Sequence, residues 1–314
     1  MAWREEYNAI VENIADVAPA RKYYLDPVYG SDGGDGSKDA PVKTLTAGYS
    51  MLRTKRHDTL YVIGGASALA QTAIFTFDKD YTRIIGVGPR TLTGGRSRLT
   101  NSVTTATTGE FVISGTGCMF EGLNWQYGDS GVNTSVIGVS ITGDGRIEFR
   151  DCSFEGPINA TVGGASYRVV NIGSGVQDIS WRRCHFGQRT ILATGAAGAT
   201  VYFAGSNNTN FTFEDCQFNA YNSNTASCTL GFANNAMPDS GWTLLRNCVV
   251  INHYNANIAD PIRFTTGGHG TVILQGCALA GLGTLVWATG SWKTNIFVCN
   301  AAGASTGGVG ANPA

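Results

Sequence analysis

Apolar residues in this chain follow a short motif that recurs. FRDCSFEG begins at Phe149, WRRCHFGQ at Trp181, FEDCQFNA at Phe213 and LRNCVVIN at Leu245, so cysteines fall at 152, 184, 216 and 248, 32 residues apart each time. Aligned on the cysteine, the series extends to Cys118, Cys277 and Cys299, with successive steps of 34, 32, 32, 32, 29 and 22. Three residues before it stand Gly115, Phe149, Trp181, Phe213, Leu245, Leu274 and Ile296; two after it stand Phe120, Phe154, Phe186, Phe218, Val250, Leu279 and Ala301. The position five before is also mostly apolar, from Ile113, Ile147, Ile179 and Phe211 to Val272. A repeat of about 20 to 50 residues marks a solenoid or a propeller.

The spacing inside one unit says which. Positions five and three before the cysteine share a parity, as a strand with one buried face requires. Two residues then separate that strand from the cysteine, and strict alternation breaks at Gly117, Asp151, Arg183, Asp215, Asn247, Gly276 or Val298. Gly, Asn and Asp tolerate positive φ, so a one-residue corner is predicted there. A third apolar alternation lies upstream in SVIGVSI, YRVVNI, TVYFAG and DPIRFT. Three short strands per turn predict an all-β fold, a parallel β-helix; a propeller blade needs four strands and about 40 to 50 residues. Cysteine is small, apolar and readily buried at a tight corner. Cys118, Cys152, Cys184, Cys216, Cys248, Cys277 and Cys299 are therefore expected to form an internal ladder at the strand spacing of about 4.8 Å.

The ends read differently. Trp3, Tyr7, Ile10, Val11, Ile14 and Val17 form an apolar stripe at helical spacing, and Pro19 stops the pattern. This amphipathic N-terminal helix reads either as a cap on the first coil or as an arm that docks on a partner protein. The expected division is 1–20 as that arm or cap, 21–57 as a lead-in, 58–300 as the β-helix and 301–314 as a flexible tail.

Composition narrows the partners. Charged residues make up 14 %, the net charge is −1, and no basic stripe points to nucleic acid. No apolar run approaches the roughly 20 residues of a membrane span. The first residues carry Glu5, Glu6, Glu12 and Asp16 without an apolar core, so no secretory signal is expected. Folding in a reducing cytosol would then keep the eight cysteines as thiols. No Cys-x-x-Cys pair occurs, and neither a metal nor a cofactor is expected.

YYLDPVYGSDGGDGSKDAPVKTLTAGYSML, residues 23–52, is followed by DTLYVIGG and YTRIIGVG. Together with the cysteine repeat, this stretch resembles the pectin-lyase-like right-handed parallel β-helix superfamily, including phage virion proteins of the decoration or tailspike type. That superfold hosts lyases, hydrolases, adhesins and tailspikes, so the resemblance implies fold more than function. Of the motifs that the resemblance would bring for polygalacturonase chemistry, only Gly-His-Gly is present, in GGHG at 267–270; Thr271 and Val272 follow it, and His269 reads as a turn residue. The acids a pectate-lyase calcium site would need are scattered over Asp129, Asp144, Asp178, Asp239 and Asp260, mostly in turn-like contexts. Asp32, Asp35 and Asp39 lack EF-hand spacing and read as an Asx-turn loop.

Two features keep an enzyme in view. Glu121 and Glu155 align three residues after their cysteines. One coil apart, they would sit near the about 5 to 5.5 Å of a retaining glycosidase pair. Trp125 and Tyr127, read as exposed, would stack on sugars or meet a second subunit. The leading expectation is nevertheless a non-enzymatic structural virion protein of a bacteriophage, a capsid decoration or head-surface protein made in the host cytoplasm. Its expected partners are itself, as a homotrimer, and the major capsid protein or another virion protein, bound through Trp3, Tyr7, Ile10, Val11 and Ile14. The alternative is a compact tailspike-type depolymerase or an adhesin that binds a host surface glycan.

Overall fold

Left-handed backbone at single residues turns the chain at each corner. Asp151, Arg183, Asp215, Asn247 and Gly276 have φ of 51°, 51°, 53°, 52° and 63°. In the computed structural model these residues follow successive strands of one sheet, and the next side chain points back into the core. Described are residues 20–299 apart from 66–67, 89–96, 102–108, 128–136, 158–166, 188–197, 222, 224–226, 234–240, 254–259, 265–269, 281–285 and 289–295. The N-terminal stripe, His269 and the 301–314 tail thus lie outside the described residues.

Three parallel sheets run the length of the molecule. Sheet 1 stacks ten strands in chain order: Lys22–Leu25, Thr59–Ile63, Arg83–Val87, Met119–Glu121, Glu148–Arg150, Gln177–Arg182, Thr209–Glu214, Trp242–Arg246, Thr271–Gln275 and Ile296–Cys299. Sheet 2 has eight, from Leu69–Gln71 through Asn124–Tyr127, Ser153–Pro157, His185–Gly187 and Gln217–Ala220 to Ala278–Ala280. Sheet 3 also has eight, from Phe75–Phe77 through Ile137–Ile141, Arg168–Ile172 and Ala199–Phe203 to Val286–Ala288. Each strand pairs in parallel with its equivalents one coil away, as in Phe149↔Trp181, Phe154↔Phe186 and Val170↔Val201. This is the expected β-helix.

In-register stacking makes ladders of like side chains. Phe120, Phe149, Trp181 and Phe213 stack inside sheet 1 with centroids 5.2, 5.8 and 4.4 Å apart. Trp125, Phe154, Phe186 and Phe218 do the same inside sheet 2 at 5.9, 5.1 and 4.8 Å. The two columns meet edge to face, for example Phe149 on Phe154 at 75°. Such contacts add about 0.5–1.5 kcal/mol per pair beyond burial. Between the columns lies the thiol ladder of Cys152, Cys184, Cys216 and Cys248, all buried, ending at the half-buried Cys277. Each thiol donates to a carbonyl of the preceding coil, as Cys184 does to Phe149 at 3.6 Å.

Two expected members leave the ladder. The register pairs Phe120 with Phe149, which puts Cys118 level with Ile147 on sheet 1 and places Leu123 at the ladder position of that coil. Gly117 is left-handed, at 67°, but belongs to a second corner column at the other end of sheet 1, with Tyr81, Arg146, Asp178 and Asn210. Cys299 pairs with Gln275, and Val298 with Leu274 rather than a corner, because the last step of 22 residues shifts the alignment by two.

The first coil is closed by the lead-in. Thr44 caps helix α1 (Leu45–Met51) by accepting from the Ala47 amide at 3.2 Å. The helix buries Leu45, Gly48 and Tyr49 against the stack. Lys79 binds its far end through the carbonyls of Tyr49, Ser50 and Leu52 at 2.7, 2.9 and 2.6 Å. Asp58, fully buried beneath it, accepts from the amides of Arg21 and Arg53 at 2.7 and 2.9 Å and from the Arg53 guanidinium at 2.8 Å.

Candidate functional site

The residues on either side of each large inward side chain of sheet 2 point outward, and over five coils they are polar except for Gly187. One column runs Arg98, Asn124, Ser153, His185 and Gln217; its neighbour runs Thr100, Gln126, Glu155, Gly187 and Asn219. Although they face away from the core, Asn124, Ser153, His185 and Asn219 are buried, so other parts of the chain cover the row. A buried polar group must find partners, and these bond to one another.

The row has two halves. In the first, Glu155 accepts from Asn124 Nδ2 at 3.0 Å, Gln126 Nε2 at 2.8 Å and Ser153 Oγ at 3.3 Å. In the second, Asn219 bridges two imidazoles: its Nδ2 donates to His185 Nε2, and its Oδ1 lies 2.6 Å from His253 Nε2. That orientation makes His185 Nε2 an acceptor and His253 Nε2 a donor. Gly187, at φ 82°, sits between the halves, where a Cβ would run into the Asn219 carbonyl. The arrangement offers one multiply bonded carboxylate and two imidazoles in a hydrogen-bonded chain.

It does not offer the expected carboxylate pair. Glu121 lies on sheet 1, level with Arg150, whereas Glu155 lies on sheet 2, level with Gln126. The two glutamates occupy different faces. Trp125 and Tyr127 are 1 % exposed and belong to the packed interior, not to a sugar platform. Alternation in Asn124-Trp125-Gln126-Tyr127 is the signal that could have said so. The polar row was likewise readable one and three residues after the aligned cysteines.

Elsewhere, acids are bonded within and between coils. Arg183 grips Asp151 through two bonds of 2.7 and 3.0 Å. Glu148 binds Arg150 at 2.6 Å, and Glu214 lies 3.3 and 3.5 Å from Arg182 and Arg246. Asn247 donates to Asp215, and Asn210 to Asp178. In the lead-in loop Asp32 accepts from the amides of Lys43 and Thr44 at 2.9 and 2.8 Å, and Asp35 from that of Ser37 at 2.9 Å. Asp35 makes the expected Asx turn, whereas Asp32 ties the loop to the start of helix α1. Among the described residues no group of three or more His, Cys, Asp or Glu converges as a metal site would.

No protein-family model matches the chain. No curated protein matches it either. Solved structures do. A pectin methylesterase from Aspergillus niger, at 14 % identity, covers 90 % of this chain and 85 % of its own with a TM-score of 0.58. The pectate lyase Pel9A, at 12 % identity, covers 83 % and 63 % with a TM-score of 0.52. A pectin methylesterase in complex with a hexasaccharide, at 11 % identity, covers 93 % and 92 % with a TM-score of 0.50. At these identities the likeness is one of fold: the chain has the parallel β-helix of the pectin-lyase-like proteins.

Proposed function

We propose that this chain is a non-enzymatic structural protein of a bacteriophage particle, displayed on the head surface and assembled as a homotrimer. The observation that carries the structural half is the use of the carboxylates. Asp151, Glu148, Glu214, Asp215 and Asp178 are bonded to neighbours within or between coils, and Glu155 is bonded to three side chains of its own sheet. Acids held in this way stiffen the wall. The phage half rests on the resemblance of the lead-in and cysteine repeat. Antibodies raised against the purified chain should label the heads of intact particles in electron microscopy, three copies per site. Labelling confined to the tail, or none on intact particles, would reject the head-surface role.

A second reading, action on or binding of a polysaccharide, would draw on the accessible edge of the sheet 2 row, the half-buried Glu155 and the exposed His253, since Asn124, Ser153, His185 and Asn219 are covered. Two of the three fold relatives above are pectin methylesterases and one is a pectate lyase. His185 could act there only through its hydrogen-bonded link to Asn219 and His253.

A further inference from the structure

The outward columns of sheet 1 change character along the molecule. From the fourth strand onward, the column after the inward aromatics reads Glu121, Arg150, Arg182, Glu214, Arg246 and Gln275. Over the first three strands the same column reads Tyr24, Tyr61 and Ile85. Tyr24 and Tyr61 stack face to face at 5.2 Å and 18° on the outside of the sheet. Ile63 and Val87 pair beside them, and Val28 lies against Gly65 at the same edge. Val87 is 45 % exposed, Val28 40 % and the adjoining Tyr29 87 %. A clustered apolar patch of this kind marks an interaction site, unlike scattered exposed side chains.

We propose that this patch is the docking surface for residues 1–19 of the same chain, which lie outside the described residues. Three observations select that occupant. First, the chain enters at Ala20 and Arg21, directly before the strand that carries Tyr24, so residues 1–19 are tethered beside the patch. Tethering raises their effective concentration far above that of any free partner. The patch measures about 10 Å across three strands and about 17 Å along them. Nineteen residues span it even at the helical rise of about 1.5 Å each. Second, the segment brings a matching apolar stripe, Trp3, Tyr7, Ile10, Ile14 and Val17, with four acids and one arginine. Exposed Lys22 and Arg83 flank the patch, as does Arg21, and among the described residues none of the three is in an ion pair. Third, the end of the coil stack is already closed by α1 and the Arg53–Asp58 pair, so the stripe is not required as an end cap.

Hydrogen exchange of the full-length chain, read by mass spectrometry, tests this. Amides within residues 3–18 should be protected in the unaltered protein and lose about tenfold or more of that protection in Ile85→Glu. The charge reversal Lys22→Glu with Arg83→Glu should lower it further at low salt than at high salt. Ile85 lies outside the core, so circular dichroism and melting of the remaining coils should stay as they were. An unprotected segment in the unaltered chain overturns the proposal. So does protection that survives Ile85→Glu, and so does protection that falls on dilution, which would assign the patch to a second copy.

Discussion

At single corner residues the demand is conformational. Asp215 and Asn247 hold φ near +50°, where a Cβ crowds the following carbonyl and β-branched residues suffer most. Replacing either by Val should cost about 1–2 kcal/mol, while Gly should be close to neutral. Urea unfolding of the four variants checks it; equal midpoints for Val and Gly at both sites would remove the corner as a constraint. These positions were legible because only a few residue types accept the left-handed region. Cys118 was misplaced for a related reason. Phe120, Gly122, Leu123 and Trp125 reproduce the aromatic, corner, ladder and aromatic positions, but Leu stands where cysteine was used as the anchor. Size and apolarity, not sulfur, define the site.

At the scale of elements, burial decides the chemistry of the ladder. The Cys184 thiol is pushed far up by burial, and in-register sulfurs a coil apart are too distant for a bond of about 2.05 Å. The described cysteines are free. Titration in denaturant without reductant should therefore return eight thiols, whereas slow or no labelling is expected under native conditions. Recovery of four or fewer would refute the ladder. The cap makes a pH-dependent contribution of known sign. Burial alone would raise the Asp58 carboxyl, but the Arg53 guanidinium and the amides of Arg21 and Arg53 outweigh it and hold it below the usual range. A depressed folded value stabilises above the unfolded pKa of about 3.9, and that contribution fades as pH falls through the folded one. Asp58→Asn should thus melt well below the unaltered protein at pH 7, with the gap narrowing below about pH 4. A gap that is constant from pH 7 to pH 3 would detach the ion pair from stability. Sequence periodicity showed the coils but not this cap, since Asp58 sits in an otherwise ordinary lead-in and its partners come from 37 and 5 residues away.

For the whole molecule, the fold was written in the repeat, and the site was not. A period fixes which residues share a column, but it cannot fix which of three sheets a column faces once one anchor slips by a strand. That slip is what made Glu121 and Glu155 look like a stacked pair. With the true register, Glu121 and Glu155 lie on different sheets and do not form the pair that the known geometries of glycoside hydrolysis need, two groups about 5 to 5.5 Å or about 6.5 to 9.5 Å apart. Glu155 stands on sheet 2 among amide and hydroxyl donors, and the acids of sheet 1 are engaged with arginines and asparagines. Among the described residues near Glu155 on sheet 2, the imidazoles that could donate a proton to a leaving group are His185 and His253, both tied to Asn219. Purified protein incubated with host envelope polysaccharide should release no reducing ends and no unsaturated sugars. If it does release them, Glu155→Gln and His185→Gln separate the causes, with Glu121→Gln as the control on the other face. Activity abolished by the first two and untouched by the third would make the row of sheet 2 an active site and replace the structural reading with a depolymerase.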